Sequence, residues 1–568
     1  MLSEKKYLII IKKNRSLYVS NQNKIYSFPS FKIDEESELE KEIRKLFGND
    51  VQPNDINISF WKIIEHISHK HDKRVSLHCY IIDLTNSNFS PRNYEEINID
   101  EIEPKLFCDE QKKAYEFLRA IPDSDRIDNE QLFGQVYYED GQINISLINK
   151  KLLIMELDSI ERREAFPLYF YEFISSEIEY INEDLLRDYK FDGSLYTIKL
   201  LDEKEEKKDK LTFQENPDYL ARVKGKIIFS ASPILAWNGI KIVIKKITDP
   251  AMKTMYDNLE KTWKTVVYPK VVLDQGKIHK WLDDEYSIIS PDEIKVQIFN
   301  VGQANCVFCD LQYRKLLFDI GVTYHEKFDD DPTSPIYRAV HTYISKIDVN
   351  DVFLSHWDLD HILGTAYNHN VLIEKHWIAP DFKILFEKQG EKVRISIINL
   401  VYYLIFVGCS EVMLIDTSVG KKDFFESYTL SVYLGDPIRT KKIINLKPKR
   451  KYKYTNKLNN GGIILKLQNK DNMLLPGDCD NEVFPKCALK TPYDNIIVSH
   501  HGSVMADPVV IGKKPNSNNN AYICVAKKGF QGNFLEDINI RKLYRNVDFR
   551  HIRRTRNLRK NCYYEVLL

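Results

Sequence analysis

Four potential metal ligands, His356, Asp358, Asp360 and His361, arrive within six residues. They follow the apolar run Val352-Phe-Leu354 and Ser355, which reads as the end of a strand. Two carboxylates and two imidazoles cannot all be buried unpaired, because uncompensated buried charge is costly. A divalent cation would satisfy them together. Imidazole suits Zn, Fe or Mn, and carboxylate also accepts Mn or Mg. Both pairs in one turn suit a two-metal site, where one ion activates water and the other holds a substrate oxygen. Taken alone, this spacing also fits a polar surface turn.

The elements that must position these residues lie in the last half of the chain. Lys295–Asn300 reads as a strand, and Gly302 follows it. From there strands and helices alternate to residue 568, which predicts an α/β layered domain over 293–568. The longest nearly apolar run, Ile397–Cys409, is shorter than the roughly 20 residues of a spanning helix. It predicts a buried core helix or strand, and hence no membrane association.

Further motifs occur in a fixed order. They are Phe299-Asn-Val-Gly-Gln303, Leu316-Leu-Phe-Asp-Ile-Gly321, Asn459-Asn-Gly-Gly-Ile-Ile-Leu465, Leu474-Leu-Pro-Gly-Asp478 and Val498-Ser-His-His-Gly-Ser503. With Ser355-His-Trp-Asp-Leu-Asp-His361, they resemble the metallo-β-lactamase superfamily over about 210 residues. Asp358, in place of the usual second His, resembles the branch of the soluble domain of ComEC-type competence DNA-uptake proteins. The resemblance implies an αββα sandwich and a metal-dependent hydrolase using Zn or Mn. It implies that His356 and Asp358 bind one metal, and that Asp360 and His361 bind a second and position the water. Asp478 would bridge both ions. His500 or His501 would be a ligand or sit against the scissile phosphate. His501 would act in catalysis and Ser503 would bond a phosphate oxygen. Asp319 would be structural, and Gly302 and Gly321 would permit tight turns. Two departures stand out. Many members carry a further His ligand before the bridging Asp, for which only His369 and His376 are candidates. The family's later Tyr-Gly-His-Pro segment is replaced near Gln531-Gly-Asn-Phe534, so that His is missing.

Charge segregation bears on the substrate. The chain carries 82 basic and 82 acidic residues, so any field must be local. Residues 437–470 hold no Asp or Glu, and Lys449, Arg450 and Lys451 crowd there with Arg439, Lys441, Lys442, Lys447 and Lys453. Tyr452 and Tyr454 are interleaved, as in a strip that stacks bases. A second basic stretch runs from Arg541 to Lys560. Both patches fit a phosphate-rich partner, nucleic acid or nucleotide, and both also fit a solvated surface. A phosphodiester is the natural substrate, with Lys449, Arg450 and Lys451 as contacts. A small nucleotide signal fits the same chemistry, and so does a non-enzymatic protein that keeps metal for structure.

The 568 residues exceed one core. Nine cysteines, an odd number, and no signal-peptide pattern at the start predict free thiols and a cytoplasmic location. Three blocks separate: 1–122, 123–292 and 293–568. In the first, Tyr7–Ile11, Leu17–Val19 and Val75–Ile82 read as strands, Ser37–Phe47 as a helix and Asp109–Ala120 as a closing helix. Ile25–Gly48 resembles a degraded Nudix box in an α+β domain. Lys41 stands for the Arg and Glu42 is kept, while Lys45 and Leu46 replace the metal-binding pair. The resemblance implies a non-catalytic module. The middle block is mixed and β-rich. Its strand candidates are Gln142–Leu147, Lys151–Leu157, Lys226–Ser230 and Ile240–Ile247, and Asn258–Val266 is a helix candidate. The charge run Asp202–Lys210 reads as a solvated loop or helix face. No chemistry is readable there.

Overall fold

A computed structural model describes residues 4–13, 16–22, 25–32, 38–47, 58–68, 73–83, 91–98, 111, 132–139, 142–149, 171–181, 191–201, 219–230, 234–247, 250–287, 291–302, 304–323, 340–341, 343–344, 346–366, 369–389, 392–406, 408–420, 422–437, 441–442, 453–454, 457–479, 483–502, 519–524, 549–555, 558 and 563–568. The expected strand Lys151–Leu157 and the loop or helix face Asp202–Lys210 lie outside the described residues. So does the closing helix Asp109–Ala120, apart from Gln111. The protein is mixed α/β and dominated by sheets. It divides into two compact units. One comprises 1–130, 156–167 and 230–234, and the other 131–155, 168–229 and 235–568.

The first unit is a mixed sheet with a helix on it. Its strands are β1 (Glu4–Lys13), β2 (Ser16–Gln22), β3 (Ile25–Ser27), β4 (Ser30–Phe31), β5 (Ile58–Ser68), β6 (Lys73–Asp83) and β7 (Glu95–Asn98). The path β3-β2-β1-β6-β5 carries β4 against β1 and β7 against β2. Tyr7, Ile9 and Ile11 alternate onto one face of β1 and meet Ile43 and Phe47 of the helix Leu39–Phe47. A two-residue period on the strand and a four-residue period on the helix bring these side chains together.

The second unit opens with a six-stranded closed barrel. Its strands are β8 (Leu132–Glu139), β9 (Gln142–Asn149), β10 (Tyr171–Ile181), β11 (Asp192–Leu200), β12 (Tyr219–Ser230) and β13 (Ile234–Lys245), in the order β10-β12-β13-β11-β8-β9. Closure leaves no strand edge unpaired. The helix Pro250–Val266 follows, starting eight residues before the predicted Asn258. The expected strand Gln142–Leu147 lies within β9, with Ile143, Ile145 and Leu147 buried.

Two seven-stranded sheets complete this unit. The first contains β14 (Lys295–Phe299), β15 (Cys306–Asp310), β16 (Lys315–Ile320), β17 (Asp351–Phe353), β18 (His376–Pro380) and β19 (Glu411–Ile415). The second contains β20 (Lys422–Glu426), β21 (Leu430–Leu434), β24 (Ile463–Gln468), β25 (Asn472–Leu475), β26 (Asn495–Ile497), β27 (Asn519–Ile523) and β28 (Phe549–Arg554). A basic two-stranded ribbon, β22 (Lys441–Lys442) with β23 (Lys453–Tyr454), precedes β24. The last strand, β29 (Tyr563–Leu567), returns to pair with β14 in the first sheet. Both sheets contribute to one core: Ile298, Phe318 and Phe353 from the first share it with Val432, Leu465 and Ile497 from the second. The apolar run 397–409 is the buried helix Ile395–Phe406. Among the described residues, no helix is long and apolar enough to cross a membrane.

Parallel pairing places the loops. Strands β16 to β19 run parallel, as do β25 to β28. The C-terminal ends of parallel strands are where α/β sheets present their functional loops. Four such ends, those of β16, β17, β25 and β26, carry Asp319, the 355–361 segment, Asp478 and the 499–502 turn.

Candidate metal centre

Asp360, His361, Asp478 and His501 each offer a ligand atom, and these atoms all lie within 4.8 Å of one another. All four residues are buried. His361 Nε2 lies 3.4 Å from Asp478 Oδ1, and His501 Nε2 lies 3.4 Å from the same oxygen. Ligands at about 2.1 Å from a tetrahedral ion stand roughly 3.4 Å apart. The residues therefore fit a divalent ion at this point.

Both imidazoles are oriented from behind. His361 Nδ1 lies 2.8 Å from Asp319 Oδ2 and 3.2 Å from Ser355 Oγ. His501 Nδ1 lies 3.1 Å from the Cys524 carbonyl oxygen. A proton on each Nδ1 leaves the Nε2 lone pair facing the site, the arrangement by which metal-binding histidines are fixed. Asp319 also accepts from the Ser355 amide at 2.6 Å and from its hydroxyl at 2.8 Å. One carboxylate thus ties the end of β16 to the turn after β17. Asn305 Nδ2 donates to Asp478 Oδ1 at 3.3 Å.

His356 and Asp358 form a neighbouring pair. His356 Nε2 lies 3.3 Å from Asp358 Oδ2, and the His356 and His361 rings are 4.0 Å apart. Among the described residues, the buried Nε2 atoms of His356 and His361 have no well-aligned hydrogen-bond partner, only the carboxylate oxygens 3.3 and 3.4 Å away. Such orphaned buried atoms call for an explanation, and a bound ion supplies one.

The electrostatics agree. Among the described residues, Asp319, Asp358, Asp360 and Asp478 gather four carboxylates, and the Arg394 guanidinium lies 3.9 Å from Asp358 Oδ1. Asp360 is pushed up to about 6 by burial and by the Asp478 and Asp358 carboxylates, against the pull of His361. Asp358 is held well below the ordinary carboxylate range. Burial opposes its charge, but His356, Arg394 and His361 outweigh that. His361 is held well above the ordinary imidazole value. Burial opposes its protonation, and Asp319, Asp478 and Asp360 overcome it. The site holds a proton where negative charge has gathered, and a cation would displace it.

The backbone is shaped for this. Asp319 and His501 adopt left-handed φ values of 59° and 54°, a conformation non-glycine residues rarely take outside constrained sites. Gly302 has φ 76°, as a tight turn requires. Gly321 serves close approach instead of a positive φ: a Cβ there would collide with the Asp360 carbonyl oxygen.

Not every sequence candidate gathers here. His376 lies elsewhere, with Nδ1 3.1 Å from Asp351 Oδ1 and its ring against Trp281. That pair belongs to a buried network with Arg314 and Tyr286 behind the sheet. His500 sits in the turn Ser499–Gly502 and His369 in His369–Leu372, with their side chains outside those described. Ser503, Lys449, Arg450, Lys451 and Gln531–Phe534 lie outside the described residues. The described cysteines are free thiols. Sequence reasoning missed Asn305, the tethering role of Asp319 and Arg394. Asp319 and Asn305 lay inside or beside quoted motifs, while Arg394 carries no local signal.

No family model matches the chain, and no curated protein does. Solved structures of low similarity include a NUDIX hydrolase from Listeria monocytogenes, at 16% identity over 20% of this chain and 88% of that one, with TM-score 0.16. A diphosphatase of the PhnP family matches at 8% identity over 49% of this chain and 97% of its own, with TM-score 0.24. CmlA, a diiron β-hydroxylase from Streptomyces venezuelae, matches at 10% identity over 48% of this chain and 54% of its own, with TM-score 0.26. Scores this low carry no functional weight. The described residues thus include a buried Asp/His cluster that could hold a metal ion, whose identity the side chains leave open.

Proposed function

We propose that the protein is a metal-dependent hydrolase of phosphodiesters, a nuclease or phosphodiesterase of the metallo-β-lactamase type. The observation that carries this reading is the convergence of His361 and His501 Nε2 on Asp478 Oδ1, each imidazole held from behind. Asp360, His361, Asp478 and His501 would hold one divalent ion, Zn or Mn, and His356 with Asp358 would contribute to a second position. The bound ion would supply Lewis acidity and lower the pKa of water it holds.

The chain's own residues do the rest. Asp360 offers a carboxylate oxygen to the site, where it would help hold the ion and orient the attacking water. Asp319 keeps His361 in one tautomer. Arg394 places positive charge beside Asp358. The basic ribbon Lys441–Lys442 with Lys453–Tyr454 precedes β24 in the chain, and it favours a nucleic-acid or nucleotide substrate. The N-terminal unit is non-catalytic in this reading. Lys45, in the place of a Nudix acid, pairs with the retained Glu42 at 2.5 Å. The test is cleavage of single- and double-stranded DNA and RNA, and of cyclic dinucleotides, with Mn or Zn added. Metal-dependent cleavage lost in Asp360→Ala is expected. No cleavage by the wild type, or equal cleavage by the variant, contradicts the reading.

A further inference from the structure

The barrel and the metal centre belong to one compact unit, and residues 392–395 form one of the segments where they meet. Two side chains of β8, on the same face of the strand, grip residues 392–395. Gln135 accepts from the Ile395 amide at 2.7 Å and donates to the Val393 carbonyl at 3.2 Å. The Tyr137 hydroxyl donates to the Lys392 carbonyl at 3.0 Å. Lys392 itself reaches Glu260 of the helix Pro250–Val266 at 3.0 Å. Three backbone groups of a loop are therefore satisfied by barrel side chains, which fixes its path.

The residue in the middle of this segment is Arg394. It is 8% exposed, and its guanidinium carbon lies 5.1 Å above the Tyr137 ring. Glu172 of β10, buried and accepting from Ser146 Oγ at 3.0 Å, faces Arg394 and Ser396 from the barrel side. On its other side Arg394 meets Asp358. The two oxygens of that carboxylate are divided: Oδ1 faces Arg394 at 3.9 Å and Oδ2 faces His356 Nε2 at 3.3 Å. A carboxylate engaged at one oxygen has its other oxygen aimed, and partners of this kind tune metal affinity.

We infer that Arg394 is a positioning residue for the metal centre, and that the barrel exists in part to hold it there. Arg394 turns Asp358 Oδ2 toward His356. Gln135 and Tyr137 keep Arg394 in register. This rests on the metal-site reading above.

The experiment is titration of the full-length protein with cobalt chloride, following the visible absorption of bound cobalt. Arg394→Met and Gln135→Leu are each expected to weaken cobalt binding by roughly 10- to 100-fold and to alter the spectrum. Arg394→Lys, which keeps the charge, is expected to recover most of the affinity. If the wild type binds cobalt and Arg394→Met binds it equally, with the same spectrum, the positioning role is overturned while the metal site stands. If Arg394→Met weakens binding and Gln135→Leu does not, the part given to the barrel is overturned. Should Arg394→Met fail to fold by thermal melting, Gln135→Leu decides alone, weaker binding supporting the inference and unchanged binding overturning it. A wild type that binds no cobalt overturns the metal-site reading and this inference together.

Discussion

Asp319 Oδ2 lies 2.8 Å from His361 Nδ1, and both side chains are fully buried. The acid stands at the end of β16 and the histidine in the turn after β17, so one hydrogen bond ties two strand ends and sets one tautomer. Asp319→Asn keeps the size but loses the charge that selects the Nδ1 proton. We predict that it lowers metal affinity by roughly 10- to 100-fold. Calorimetric titration with Zn or Mn checks this, with circular dichroism to show an unchanged fold.

Metal affinity should rise with pH. The carboxyl of Asp360 is pushed up to about 6 by burial and by Asp478 and Asp358, and His361 is held protonated well above its ordinary value by the surrounding acids, against burial. A metal must displace these protons, so binding releases them and acid opposes it. Titrations at pH 5, 6, 7 and 8 should show affinity climbing steeply through about 6. Affinity that is flat over this range would contradict the assigned ligands.

Glu172 predicts a different pH effect, on stability. Burial pushes its carboxyl from 4.5 up to about 7, against the pull of Ser146, Arg394 and Ser396. The folded value lies above the unfolded one, so the folded state holds the extra proton. Its stabilising contribution is complete below about 4.5 and is lost as pH rises through about 7. Glu172→Gln should lack this loss. Urea midpoints at pH 5 and pH 8 should therefore fall more for the wild type than for the variant.

Gly321→Ala should be destabilising by about 1–3 kcal/mol, because the added Cβ meets backbone, the carbonyl oxygens of Asp360 and Asn305, that cannot swing aside. The loss should appear in thermal melting, together with weaker metal binding.

Much of this site was legible in the sequence because its chemistry is local. His356 to His361 fall in one turn, and Asp478 and His501 lie in the short motifs Leu474–Asp478 and Val498–Ser503. The strand Tyr7–Ile11 was legible from its apolar run and Val75–Ile82 from apolar alternation, and their parallel pairing was not, since nothing local encodes which strand is a neighbour. The barrel strands Gln142–Leu147 and Lys226–Ser230 were readable singly, and their closure was hidden for the same reason. Arg394 was invisible because its place depends on Gln135 and Tyr137, more than 250 residues away in sequence. His376 was a reasonable ligand candidate by type, but it starts β18 at the opposite strand end from the loops that carry the Asp/His cluster and contacts Asp351 instead.

The most direct test of the central claim is the rate of phosphodiester hydrolysis by the full-length protein loaded with Mn or Zn, beside the chelated protein and Asp478→Asn. Asp478 Oδ1 is the atom on which both Nε2 atoms converge. The account predicts turnover by the loaded wild type, none after chelation, and a rate at background for Asp478→Asn with its fold intact. Hydrolysis that survives chelation, or that Asp478→Asn retains, would contradict it.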